Sequence, residues 1–426
     1  DVLGGSRAFD IDSCWRGGHW MNDISSNVET GKTPFQVMYW RPKRLSRVGL
    51  WAGMILSLSG MAVVHFWPAK VSPEHQGELL AAAMKAESAM RVIADVHQQQ
   101  GLPAVAKLDP QGSHLVGPSM SLVTSKLGSL ESKQTSINPN FAAVVVKWLE
   151  EAGVKPGDRV AIGASGSWPA LNIAVYAAAE TLQLKPTIIL SAASSQYGAN
   201  RPEMMWVDME KYLHDADLIS FRAKAGTFGG LYDRASGMPE QTRQLLADAM
   251  KRNGIPMLTS TGLRDLIDER MTLYESEIQS DAYAAYVNIG GGSASIGGSE
   301  GNERFSPGVH TEIPGDQPLP NCIAARMLAK NVPVINVVDA KAIADQYAMP
   351  IAPAIHPSVG QGDVFGKNVY RRSLAGVVMG LTWLMMAITV APGIVLHPMR
   401  SWRTWRKPAD DSPETSSMPK HVELMI

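Results

Sequence analysis

Two long stretches without a charged residue interrupt an otherwise mixed pattern of apolar and polar positions. Val48 to Trp67 reads VGLWAGMILSLSGMAVVHFW, and Ser373 to Leu396 reads SLAGVVMGLTWLMMAITVAPGIVL. A run of about 20 residues makes a helix roughly 30 Å long, matching the hydrocarbon core of a bilayer. Helices buried in a soluble core seldom stay uncharged on every face, so the pair predicts two transmembrane helices rather than two core helices. Trp51, Trp67 and Trp383 suit membrane interfaces. A cleaved signal peptide is the competing reading of the first run. It is disfavoured by the length of the run and by Phe66, Trp67 and Pro68, which occupy the place of small residues at a cleavage site.

Between these runs the period of the apolar positions changes repeatedly. Residues 75–100 carry Leu79, Leu80, Met84, Met90, Ile93 and Val96 among strong helix formers, which predicts a juxtamembrane helix. Residues 101–137 scatter Gly, Pro and Ser and read as loop. Beyond them, predicted helices at 139–152, 169–182, 208–215, 240–253, 263–277, 321–330 and 340–347 alternate with short apolar runs. Those runs, at 159–163, 186–191, 255–259, 285–289 and 332–338, predict strands. Strands separated by helices imply an α/β fold with a doubly wound, mainly parallel sheet, here flanked by two transmembrane helices.

Charge orients this arrangement. Arg41, Lys43, Arg44 and Arg47 precede the first run and only Lys70 follows closely, which places the N-terminal side in the cytoplasm. Around the second run, Lys367, Arg371 and Arg372 nearly balance Arg400, Arg403, Arg406 and Lys407, so its direction rests on parity. The expected domains are therefore a disordered or non-native extension (1–37), a basic segment with a transmembrane helix (38–70), and an extracytoplasmic α/β domain (71–372). A second transmembrane helix (373–396) and a disordered cytoplasmic tail (397–426) complete the chain, with both termini cytoplasmic. Overall, 39 Lys and Arg balance 40 Asp and Glu, so no basic field points to nucleic acid. Two cysteines, Cys14 and Cys322, allow one disulfide at most.

Ligands of such sheets bind beyond the carboxyl ends of the strands, which directs attention to three loops. In the first, Gly163-Ala164-Ser165-Gly166-Ser167-Trp168-Pro169, Pro opens a helix and amides at its positive end suit a carboxylate, a phosphate or an oxyanion. Ser165 or Ser167 is the candidate nucleophile, although G-x-S-x-G is not met; the alternative is a capping turn with Ser167 as N-cap. The second loop gathers Ser194, Ser195, Asn200 and Arg201, with Arg suited to bidentate carboxylate recognition; a solvated loop is the alternative. Asp208 and Glu210 lie two apart and off one helix face, so an N-cap and a first-turn dipole partner are favoured over a metal pair. The third loop runs through Asn288, Gly290, Gly291 and Gly292. It lacks the Gly-Lys-Ser/Thr of a Walker loop and a clean G-x-G-x-x-G, and reads as a flexible or substrate-lining loop. His310 and His356 are candidate general bases for a serine nucleophile. No metal-ligand spacing and no cofactor motif occurs, so neither a metal nor a cofactor is expected.

The runs GVKPGDRVAIGASGSWPALNIAVYAA (153–178), SAASSQYGANRPEMMWVDME (191–210), AGTFGGLYD (225–233) and YVNIGGG (286–292) together resemble the bacterial poly-γ-glutamate system protein family. The similarity spans most of the chain from Met38 to the second apolar run. It implies a membrane-anchored domain in the bacterial inner membrane, serving poly-γ-glutamate synthesis and export beside a cytoplasmic ATP-dependent ligase and a membrane partner. It carries over no catalytic residue. The chain lacks a P-loop and so does not resemble the ligase itself. The resemblance supplies a polyanionic ligand, for which Arg201, Arg222, Lys224 and Arg234 are suitable partners. Two function classes follow: an accessory factor binding the glutamyl polymer or its partner subunits, and an extracytoplasmic serine-type hydrolase or transferase of γ-glutamyl bonds.

Overall fold

The computed structural model describes residues 47–278, 282–315 and 318–390. The predicted extension, the C-terminal tail, Cys14, Arg41, Lys43, Arg44, the end of the second apolar run and the basic residues beyond it lie outside them. Contacts divide the chain into two units, and the body described below is Ser59–Val378.

In chain order, helix α1 (Arg47–Phe66) is followed by strand β1 (Ala69–Val71), helix α2 (Gln76–Gln99), β2 (Thr124–Lys126), α3 (Leu130–Ser136) and α4 (Phe141–Glu151). Then come β3 (Arg159–Ser165), α5 (Pro169–Thr181), β4 (Lys185–Ser191), and the two-residue strands β5 (Ser194–Ser195), β6 (Asn200–Arg201) and β7 (Met204–Met205). Helix α6 (Trp206–Asp215) precedes β8 (Ala225–Thr227), α7 (Glu240–Arg252), α8 (Leu263–Ser276) and β9 (Ala285–Ile289). Short helices α9 (Ser293–Ile296) and α10 (Gly298–Arg304) lead to β10 (Gly308–His310), α11 (Ile323–Ala329), β11 (Val334–Val337), α12 (Ala340–Gln346), β12 (Lys367–Val369) and α13 (Arg372–Val390).

The central sheet has the order β10-β11-β9-β3-β4-β8 and is parallel apart from β10. Neighbouring side chains along its strands enter different cores. Val160, Ile162, Ile188, Leu190, Val287 and Ile335 join residues of α2, α4, α5 and α6. Ala161, Ile189, Tyr286 and Val334 join residues of α8, α9 and α11. Successive strand residues point to opposite faces, so both faces of the sheet are covered, as buried parallel sheets require. From β3 the chain builds outward through β4 to β8, then returns to place β9 and β11 on the other side of β3. The carboxyl-end loops of β3 and β9 therefore diverge across a crevice.

The strand expected at 255–259 is reduced to a single bridge between Met257 and Gly226. Pro256 has no amide to contribute to a ladder. Residues 101–137, expected to be loop, contain β2 and α3, the latter capped by the Ser129 side chain on the Ser132 amide. The glycine-rich segment after β9 is not a flexible loop: it folds into α9 and α10, hinged at Gly297 (φ 93°).

Helices α1 and α13 are each long and apolar enough to cross a membrane. A core helix would be covered by its neighbours, whereas only 6% of the most apolar stretch of α1 and 0% of that of α13 is buried. Strands β1 and β12 pair as an antiparallel ribbon that links both helices to the body. Gly60, the buried position of α1, packs against the Val378 side chain.

Candidate functional site

The carboxyl ends of β3, β4 and β9 open into a cavity of about 520 Å³. Ser165, Ser167 and Trp168 line it beyond β3, Ser191 and Ala193 beyond β4, and Gly291, Gly292, Ser293 and Ser295 beyond β9. Ser125 and Lys126 of β2 and the segment Gly229-Gly230-Leu231-Tyr232-Asp233 complete the wall. Residues of the first and third predicted loops thus line the same cavity.

The first loop does not present open amides. Gly166 donates to the Ser191 carbonyl (2.9 Å), Ser167 to Ser165 Oγ (3.2 Å) and Trp168 to the Ser165 carbonyl (3.1 Å). The Asn172 amide group of α5 donates to the Ser165 carbonyl (2.8 Å) and holds that turn from below. Ser167 is not the N-cap of α5; that position is Trp168, and Ser167 Oγ instead accepts from the Ser195 amide (3.0 Å). Gly166 is a strut between loops rather than a ligand contact, because its carbonyl also accepts from the Ala199 amide. A β-carbon at Gly166 would lie 2.6 Å from the Ala192 carbonyl oxygen. Gly166→Ala is therefore expected to cost about 1–3 kcal/mol through overpacking against backbone. Urea denaturation of the purified variant measures this, and an unchanged midpoint would refute it.

The second loop departs from its expected binding role. Ser194 and Ser195 are buried, and their hydroxyls turn to neighbouring carbonyls. Asn200 is buried and donates to the Pro118 carbonyl (2.8 Å) and Thr124 Oγ1 (2.9 Å). Arg201 donates to the Pro103 carbonyl (2.9 Å) and does not line the cavity. These side chains fasten the segment before β2 to the body. In the third loop, Gly291 and Gly292 do line the cavity. Asn288 lies buried beneath them, donating to the Gly290 carbonyl (2.7 Å) and Asn336 Oδ1 (2.8 Å). Gly290, at φ 86°, passes so close to Trp168 that a β-carbon there would meet its ring at 2.8 Å.

Among the described residues, no histidine lines the cavity. His310 Nε2 sits 2.8 Å from the Ser306 carbonyl, and His356 lies against Gln111 and Glu87. The expected serine–histidine pairing is therefore not formed. Asp208 lies in the first turn of α6, not at its N-cap; it accepts from the Met205 amide (2.8 Å) and pairs with Arg252. Glu210 is buried rather than at a helix end in solvent. It accepts from the Tyr176 hydroxyl (2.9 Å) and the Ala223 amide (3.1 Å), and burial pushes its carboxyl up.

The charged groups of the site are ones that sequence reasoning passed over. Lys126 stands in the cavity wall, where desolvation lowers its ammonium below the usual lysine range. Lys133 of α3 is buried, donates to the Ser167 carbonyl, and lies 3.5 Å from the centroid of the Trp168 ring. Burial pushes Lys133 well down, and the charge of Lys126 adds to this. Neither lysine has a carboxylate partner among the described residues. On the cavity floor, buried Asp233 pairs with buried Arg270 and accepts from Ser191 Oγ (2.9 Å) and Thr227 Oγ1 (2.9 Å). Arg270 reaches across to Ser295 Oγ (3.3 Å), tying three elements of the wall together. The wall segment holds Gly229, Gly230, Tyr232, Asp233 and Ala235 at positive φ, and such strained backbone concentrates at functional sites.

Among the described residues, His75, Glu78 and Glu150 form a grouping with metal-ligand chemistry, outside the cavity lining. Comparison with family models, with curated proteins and with solved structures found no match.

Proposed function

We propose that this chain is a membrane-anchored accessory protein of poly-γ-glutamate synthesis or export, whose cavity receives carboxylates of the glutamyl chain. The observation that carries the reading is Lys126, a cation in the cavity wall with no carboxylate partner among the described residues. Among the described residues, the one carboxylate of the lining, Asp233, is paired with Arg270. An anionic group entering this polar, partly enclosed space gains a charge-assisted contact without displacing an internal ion pair. On this reading α1 and α13 span the bacterial inner membrane. The sheet, read as doubly wound, then faces outward between them with both termini cytoplasmic. The glutamate ligase and membrane subunits of the same system are its partners, and neither nucleic acid nor a cofactor takes part.

A second reading, a serine-type hydrolase or transferase of γ-glutamyl bonds, is favoured by one observation. Ser165 borders the cavity, and its hydroxyl proton has no acceptor among the described residues. One experiment addresses both. Full-length protein in detergent is titrated with γ-linked oligoglutamate while product length is followed. Lys126→Glu is expected to weaken binding at least tenfold, about 1.4 kcal/mol. Ser165→Ala and Ser167→Ala are expected to bind normally, with chain length constant throughout. Equal affinity of Lys126→Glu and wild type would overturn the accessory reading, and chain shortening abolished by Ser165→Ala would establish the enzymatic one.

A further inference from the structure

A second cavity, of about 430 Å³, lies on the other side of the strained wall segment. Asp233 borders both cavities, and Leu263 and Leu266, nearly one turn apart on α8, line the first and the second respectively. The two spaces therefore share a wall made of residues 229–235 and the first turn of α8. The crest of that wall is open, with Leu231 55% and Tyr232 54% exposed.

The second cavity is lined by Arg234, Arg243, Ser236, Thr259 and Ser260. Its anionic neighbours are already engaged. Glu240 pairs with Arg243, Glu269 accepts from the Ser260 amide (3.2 Å), and Asp233 pairs with Arg270. The Arg234 guanidinium has no partner among the described residues. Lys126 in the first cavity and Arg234 in the second thus each stand without a carboxylate partner among the described residues. A single small acid would use only one of them.

We infer that the second cavity is a further anion subsite, and that the ligand is a flexible chain bearing carboxylates at intervals, one held by Lys126 and a later one by Arg234. This rests on the carboxylate-polymer reading above. It adds that recognition depends on polymer length, because the second contact becomes intramolecular once the first is made.

The test uses the full-length protein in detergent and γ-linked glutamate oligomers of increasing length, from the dipeptide to a long chain, followed by calorimetry. Lys155→Gln, an exposed change in the turn before β3 at the far end of the sheet, controls for loss of general positive charge. Arg234→Gln is expected to weaken the long chain about tenfold relative to this control. The dipeptide should be unaffected by Arg234→Gln, whereas Lys126→Gln should weaken both. Long-chain affinity that is equal in Arg234→Gln and Lys155→Gln would overturn the inference and leave the polymer reading intact. Failure of the wild-type protein to bind any length would overturn both.

Discussion

Asp233→Ala is expected to destabilise the protein by about 3–5 kcal/mol, the largest effect of any single change considered. Both partners of the Asp233–Arg270 pair are almost fully buried, at 2% and 1% exposure. Removal of the carboxylate leaves a buried guanidinium whose remaining side-chain partners among the described residues are the hydroxyls of Ser191, Thr227 and Ser295. Arg cannot escape by deprotonation, so the desolvation cost is borne in full. For a domain of this size such a loss lowers the unfolding midpoint by roughly 10 °C. The double change Asp233→Leu with Arg270→Met removes both charges and is expected to recover most of the loss, because apolar replacement of a buried pair is often close to neutral. Thermal unfolding of the two variants beside wild type decides the matter. A loss under about 1 kcal/mol for Asp233→Ala would mean that the pair behaves as a surface ion pair, and the buried-network account would fail.

That pair also marks the limit of what could be read from sequence. The alternation of helices and strands was legible because long periodic segments announce themselves, and β9 begins and ends where its apolar run does. Helix α3 was hidden because LESKQTS carries one apolar residue; its place is fixed by the Ser129 cap and by burial of Lys133, Thr135 and Ser136 against the body. The first and third loops line one cavity because β9 pairs beside β3, an adjacency that no local pattern encodes. The chemistry within them was hidden as well. Whether the amides after β3 face a ligand depends on where Ser191 and Ser165 offer acceptors, and no local pattern encodes that. Arg201 looked like the natural carboxylate partner because it stands in a polar loop, yet its guanidinium is turned to the Pro103 carbonyl. Lys126 ends the short β2, outside the central sheet, and Asp233 follows β8 in a segment with no charge pattern of its own; their meeting at the cavity is set by tertiary packing.

Serine nucleophiles need a base within hydrogen-bond reach, and the carboxylate nearest in the lining, Asp233, is already committed to Arg270, Ser191 and Thr227. Lys133 is the other titratable group near the serines, but its ammonium is directed to the Ser167 carbonyl and the Trp168 ring.

Acidification is expected to weaken the fold through His97. This residue of α2 is 1% exposed, its Nδ1 lies 2.9 Å from the Ile93 carbonyl, and its Nε2 has no partner among the described residues. Burial lowers its pKa to about 4, with His114 and Arg201 adding repulsion against the Ile93 contact, which acts the other way. The unfolded chain takes up a proton near the ordinary value of 6.5, whereas the folded one resists until about 4. Stability from this group is thus fully present above pH 6.5, declines as pH falls, and stops declining below the folded value. Between pH 7.5 and 4.5 the loss amounts to about 2.5 kcal/mol for this one residue. His97→Leu keeps an apolar side chain in the same place and removes the titration, so its stability should fall less over that interval by this amount. Urea unfolding of both proteins at the two pH values gives the difference directly. Parallel pH profiles would show instead that His97 is protonated in the folded protein or accessible to water.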